Sequence, residues 1–436
     1  MGRTAGVSLL VLGLLTVLRG SVSLCPVAMS KPFDNGLGGA PCVFDFFSST
    51  LLAVEGGLFV ASCARSEDVS IFHFNGSCAD GGFKVQAIVR GSQFPMGVAL
   101  GGPALPNTCI FLSATNLTLP NADSYQEIYL AQLDAGGSGQ TSMRTLMSEQ
   151  TATPWGHFAQ LGKPHYLYRH EGVVFPGKVA NQNGLYAAWR DPADGALVVR
   201  ALVNASTPVP GGGGSTFLHV DYPSLDDDSL VFFGSTAAPP RPGLYHADVA
   251  QLARGAKADV TPLADWRTRL PAPYHSETFA TFAEPEMHGP LVVFLGQGSG
   301  GTKGVFKVRS DTGELSIVAT TGGLIFDMRM PPAVFETTVA FHATRSDMKS
   351  AIFVQNDDQC GGQLREVVRE GQTIQDRKIL YILFYKYELN SHGLVFYAVL
   401  DDGSFGLFWA DVDGKCGDSF DVVETNKEGA RTEQVA

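Results

Sequence analysis

Short runs of Val, Leu, Ile and Phe recur along the chain at intervals of roughly 50 residues, the size of a common β-rich repeat unit. They are Leu58-Phe59-Val60, Cys109-Ile110-Phe111, Val173-Val174-Phe175, Leu230-Val231-Phe232, Val292-Val293-Phe294, Val339-Ala340-Phe341 and Leu394-Val395-Phe396. A second segment follows each run: a branched aliphatic, then Tyr or Phe, introduced in most copies by Gly or another small residue. These are Ser70-Ile71-Phe72, Glu127-Ile128-Tyr129, Gly184-Leu185-Tyr186, Gly243-Leu244-Tyr245, Gly304-Val305-Phe306, Ala351-Ile352-Phe353 and Gly406-Leu407-Phe408. Both alternate positions of each run are apolar, the pattern of a strand packed on two faces rather than one. A unit repeated in this way cannot bury its faces alone and must stack on its neighbours.

The pattern predicts an all-β chain, a seven-bladed β-propeller of four-stranded antiparallel blades. The inner strands start near 58, 109, 173, 230, 292, 339 and 394. Soon after each aromatic stands a small residue, Ser62, Ser113, Gly177, Gly234, Gly296, Ala343 or Ala398, which crowding near a central axis would favour. Third and fourth strands read as Ala196 to Val203 then Phe217 to Val220, and Leu364 to Arg369 then Leu380 to Phe384. Turns such as Asp311-Thr312-Gly313 have the residues that reverse a strand tightly. The last unit lacks a fourth strand, and Val43-Phe44-Asp45-Phe46-Phe47 is expected to supply it, closing the ring and removing its open edges.

Composition narrows the class. With Lys+Arg 31 against Asp+Glu 43 and a formal net charge of -12, nucleic acid is excluded as a natural partner. Residues 1–23, with Arg3 followed by an apolar stretch from Ala5 to Leu18 and small residues Ser21 to Ser23, read as a secretory leader too short to span a membrane. Residues 24–423 then form one propeller, and polar residues 424–436 a disordered tail. No membrane span is expected and the mature chain should be extracellular. Sequons at Asn75, Asn116 and Asn204 fit an exported glycoprotein. Seven cysteines in an oxidising compartment predict disulfides: Cys360 with Cys416 across adjacent blades, and Cys42 with Cys63 near the closure are the candidate pairs.

Catalytic signatures are sparse. No Gly-x-Ser-x-Gly elbow precedes a helix, and His73, His246 and His342 are isolated imidazoles on strands. Asp226-Asp227-Asp228 is the candidate metal cluster, with calcium the ion such carboxylates suit, against the simpler reading of a solvated turn. Gly211 to Gly214 lacks the Lys-Ser/Thr of a phosphate cradle and reads as a flexible connection. No cofactor is expected.

The segments "GVVFPGKVANQNGLYAAW", "TPVPGGGGSTF" and "YPSLDDDSLVFFGS" resemble a poorly characterised family of exported repeat proteins with V-x-F…G-[IL]-Y hairpins, the match being best over residues 172–338. The resemblance implies a propeller and export but no catalytic residues. On these grounds the expected function is an extracellular recognition or structural module. It would bind a protein or glycan through loops such as Thr115 to Gln126 and Ala237 to Pro242. The alternative is a secreted propeller enzyme, a metal-assisted hydrolase or polysaccharide lyase, with its site at the central channel.

Overall fold

The computed structural model describes residues 141–412 apart from short gaps, and before them the strands at 24–28, 44–53, 56–63, 69–77, 82–89, 98–100, 108–115 and 125–133. Among the described residues the chain is all β: seven antiparallel sheets of four or five strands, with one helical turn at Ala250–Ala253. Sheets one to six take their strands in chain order. Sheet four, for example, runs His219–Asp226, Ser229–Ser235, Pro242–Asp248 and Val260–Asp265.

The two recurring apolar segments of each unit are the two strands of a hairpin, in register on their aromatics. Phe59 pairs with Phe72, Phe111 with Tyr129, Phe175 with Tyr186, Phe232 with Tyr245, Phe294 with Phe306, Phe341 with Phe353 and Phe396 with Phe408. In the last six the rings stack with centroids 5.2 to 6.1 Å apart. Directly opposed aromatic pairs of this kind fix strand register.

The doubly apolar runs are explained by packing on both sides. Val173 and Phe175 face sheet two while Val174 faces sheet four. Leu230 and Phe232 face sheet three while Val231 faces sheet five. Val292 and Phe294 turn toward sheet four and Val293 toward sheet six, and Phe341 and Ala340 divide in the same way between sheets five and seven. In these four sheets the aromatic thus packs on the preceding sheet. Phe175, Phe232, Phe294 and Phe341 are each fully buried, which stabilises the fold by about 1.5–3 kcal/mol per ring.

In the middle sheets the small residue after the aromatic has a local cause. In sheets three, four and five it leaves room for a third ring, from the first strand or the residues leading into it. A Cβ on Gly177 would lie 2.9 Å from Phe158, one on Gly234 2.5 Å from Phe217, and one on Gly296 2.9 Å from Phe279. Phe217 stands edge-on to Tyr245 at 4.9 Å and 89°, and Phe158 meets Tyr186 at 4.9 Å and 90°.

The expected closure is corrected. Phe44–Ala53 does not complete the last sheet but pairs with Gly56–Cys63 as the first strand of sheet one. The strand that joins the last sheet is Leu24–Ala28, alongside Phe405–Asp411. The segment before each run belongs to that run's own sheet, as His219–Asp226 does to Ser229–Ser235. Likewise Arg377–Leu383, read as the end of one unit, is paired with Gly393–Leu400 and opens the next.

Candidate functional site

Several first strands are interrupted. Sheet three breaks between Phe158–Leu161 and His165–Leu167, and sheet five between Phe279–Phe282 and Glu286–His288. Each break holds a proline, Pro164 or Pro285, which has no N–H to give to a ladder. Sheet four carries Pro223 at a register shift between Asp221 and Ser224. The corresponding stretch of sheet seven follows Arg377–Leu383 and includes Lys386, Tyr387 and Glu388. Tyr222 and Tyr387 take left-handed φ values of 53° and 70°, a costly conformation for a bulky side chain and one that marks functional sites.

The breaks gather polar side chains that the sequence scatters. A cavity of about 400 Å³ is lined by Lys163 and His165 from sheet three, His219, Asp221 and Tyr222 from sheet four, Glu284 from sheet five and Lys386 from sheet seven. Lys386 pairs with Glu284 at 2.9 Å, and its side chain is 10% exposed. The Tyr387 N–H donates to both oxygens of the buried Glu286 carboxyl, at 3.3 and 3.2 Å. Ser224 Oγ accepts the Met287 N–H at 3.1 Å, tying sheet four to sheet five. The Tyr387 ring is flanked by two ammonium groups, Lys163 at 5.3 Å and Lys386 at 5.1 Å, with His165 edge-on at 6.0 Å.

Burial sets the charge states. It pushes Glu286 up to about 8, with Lys386 and the N–H groups of Tyr387 and Val334 opposing the rise only in part. Lys163 is exposed and lines the cavity, and desolvation by the protein around it, then the nearby Lys386, draws it down to about 8 against the pull of Glu284, Glu286 and Glu388. His165 is held neutral, far below the usual histidine range, by burial and then by Lys386 and Lys163. Burial also opposes the charge of Lys386, yet Tyr387, Glu284 and Glu286 more than compensate and keep it cationic. The wall therefore offers a fixed cation at Lys386, a titrating amine at Lys163 and a neutral imidazole at His165, beside the carboxyl group of Asp221.

Of the residues singled out from sequence, the aspartate cluster does not converge. Asp226 accepts the Gly289 N–H of sheet five, Asp227 occupies the turn at φ 51°, and Asp228 approaches His170 Nε2 at 3.8 Å. Among the described residues no group of three or more His, Cys, Asp or Glu is placed to hold a metal ion. Asn204 ends a strand, where its Oδ1 accepts the Ser206 N–H at 2.9 Å. Asn75 and Cys63 lie on strands of sheet one, while Asn116, Cys42, Cys360 and Cys416, the leader and the tail lie outside the described residues. His246 approaches Ser229 Oγ at 3.3 Å, and His342 is half-buried with Nε2 unpartnered and is drawn down to about 4 by desolvation. The residues that line the cavity were missed. Their signal was the repeated placement of a charged or aromatic residue before a proline, in Lys163-Pro164, Tyr222-Pro223 and Glu284-Pro285.

No family model and no curated protein matches the chain. Among solved structures it is similar to a puromycin hydrolase S511A mutant complexed with PGG, at 14% identity and a TM-score of 0.48, over 89% of this chain and 56% of that one. Oligopeptidase B from Leishmania major matches at 12% identity and 0.43, over 86% and 50%. The β-propeller domain of the Trilobed protease from Pyrococcus furiosus matches at 10% and 0.37, over 77% and 98%. The chain spans about half the length of the first two, at 56% and 50%.

The expected non-catalytic recognition module working through variable loops is corrected accordingly. Several of the solved structures it is similar to are named as hydrolases or peptidases, another as a putative 6-phosphogluconolactonase, and the polar cavity among the described residues sits at the breaks of first strands rather than on variable loops. Of the two proposed contact loops, residues 116–124 lie outside the described residues. In the other, Thr236 Oγ1 bonds Pro239 O at 2.9 Å.

Proposed function

We propose that the seven sheets close into a seven-bladed propeller and that the cavity at its axis holds short peptides for hydrolysis. Closure is supported by Leu24–Ala28 on the last sheet and by the approach of Phe44–Ala53 to Gly393–Leu400. The Glu284–Lys386 pair and the Tyr387–Glu286 bonds join sheets five and seven, which are not neighbours in the series and meet only near an axis.

The observation that carries the peptide reading is the juxtaposition of opposite charges in one cavity of about 400 Å³, a size suited to small molecules. Lys163, Lys178 and Lys386 face Asp221 and Glu284 there, beside the Tyr222 ring. Such a wall complements a ligand that carries both an ammonium and a carboxylate, as a short peptide with free ends does. Glu284 is the carboxylate able to take a proton from a water attacking the peptide carbonyl and to hand it to the departing amine as the C–N bond breaks, and Lys386 beside it is the cation able to stabilise the intervening oxyanion.

Incubation of the purified chain with a mixture of short peptides, followed by mass spectrometry, tests the reading. Peptides of a few residues should be consumed by the wild type and spared by Glu284→Gln and Lys386→Met. A wild type that neither binds nor cleaves any peptide would rule it out.

A further inference from the structure

One buried group on the cavity wall lacks the partner its chemistry demands, and an exposed lysine stands beside it. His165 is 2% exposed and lines the cavity, yet its Nδ1 has no hydrogen-bond partner. A buried imidazole nitrogen in that state requires an explanation, and a ligand supplies one. Lys163 lies two residues earlier, across Pro164. Glu284 is already engaged by Lys386, and among the described residues Lys163 forms no ion pair, its Nζ resting over the Tyr387 ring. An unpaired ammonium and an imidazole Nδ1 free to donate in one tautomer, at one strand break, make a two-point site for an anion.

We propose that Lys163 and His165 anchor the free carboxylate of a peptide, so that the cavity selects substrates by their carboxy-terminal end. The anchor rests on the peptide reading above. It is a separate claim, because hydrolysis at Glu284 and Lys386 does not itself require a free carboxyl group. The neutral state of His165 suits the role: a neutral imidazole carrying its proton on Nδ1 donates one hydrogen bond without adding a second buried charge. Lys163 supplies the charge, and the Tyr387 face holds its ammonium in place when no anion is bound. Gln160 and Asn183, on the same wall, offer amide groups to the peptide backbone.

The test compares short peptides bearing a free carboxyl group with the same sequences as carboxy-terminal amides, measuring binding by calorimetry and turnover by mass spectrometry. The wild type should prefer the free acids about tenfold or more, the effect of one charge-assisted contact. Lys163→Met should abolish the preference, acids and amides then being handled alike, and Lys163→Arg should retain part of it. Matching melting curves for the variants show that they fold. Equal handling of acids and amides by the wild type overturns the anchor but leaves the peptide reading standing, as does a preference that survives in Lys163→Met. Absence of any peptide binding removes both.

Discussion

Replacing Gly234 with Ala tests the three-ring arrangement that repeats through the middle sheets. The glycine stands on the second strand of sheet four, and a Cβ there would lie 2.5 Å from Phe217 Cε1 and 2.8 Å from Cδ1. Those separations are about 1 Å inside carbon–carbon contact at ~3.5 Å, so the ring must move. It has little room, because Phe217 is 1% exposed and wedged edge-on against Tyr245. Overpacking of this kind costs about 1–3 kcal/mol. If the sheets melt as one unit, the per-residue unfolding entropy makes this a fall of roughly 1–4 °C in Tm. Differential scanning calorimetry of Gly234→Ala, Phe217→Leu and the double variant gives the answer through a double-mutant cycle. Phe217→Leu alone loses ring contacts but opens space beside Gly234, so Ala should be tolerated better in its presence, by at least about 0.5 kcal/mol. Additive losses, or an alanine that costs nothing in the wild-type background, would refute the claim that the small residue exists to seat the third ring.

The other tests concern charge and backbone. Glu286 has its folded pKa raised to about 8 from an unfolded value near 4.5, so the folded state holds its proton more tightly and loses stability as pH rises from about 4.5 to about 8. Glu286→Gln should therefore raise Tm more at pH 8.5 than at pH 5, and an equal shift at both would contradict the assignment. Lys386→Met strands Glu284 without its partner and should destabilise by about 3 kcal/mol, the low end for breaking a buried pair because Glu284 keeps some contact with water. A chemical denaturation midpoint unchanged from wild type would count against it. The acid-over-amide preference should fall as pH rises through about 8, where Lys163 loses its proton amid Lys386, Glu284, Glu286 and Glu388. A preference constant to pH 9.5 would assign the anchor elsewhere. Met348 holds φ at 65° while 65% exposed, so Met348→Gly relieves strain at little cost in contacts and should stabilise by about 1 kcal/mol. No rise in Tm would show that the turn is unstrained.

What the chain alone determined is the hairpin and its repetition. Pairing between neighbouring segments needs only period-two patterning and a turn, so Val173 to Phe175 and Gly184 to Tyr186 announce themselves as partners, and the apolar residues on both faces of each run require sheets stacked on each side. The phase of the repeat was not legible. A periodic pattern looks the same wherever it is cut, and only the hydrogen bonds between Phe44–Ala53 and Gly56–Cys63 show that each unit begins one strand earlier than the apolar run. The site was legible least of all. Lys163, Glu284 and Lys386 come from three different sheets, and no local rule links a lysine to a glutamate more than a hundred residues away. Folding brings them together because proline breaks interrupt several first strands at corresponding levels, and a charge buried at one break must find its counter-charge at another. Tertiary structure therefore decided where the chemistry lies, while the order of strands was already written in the alternation of side chains.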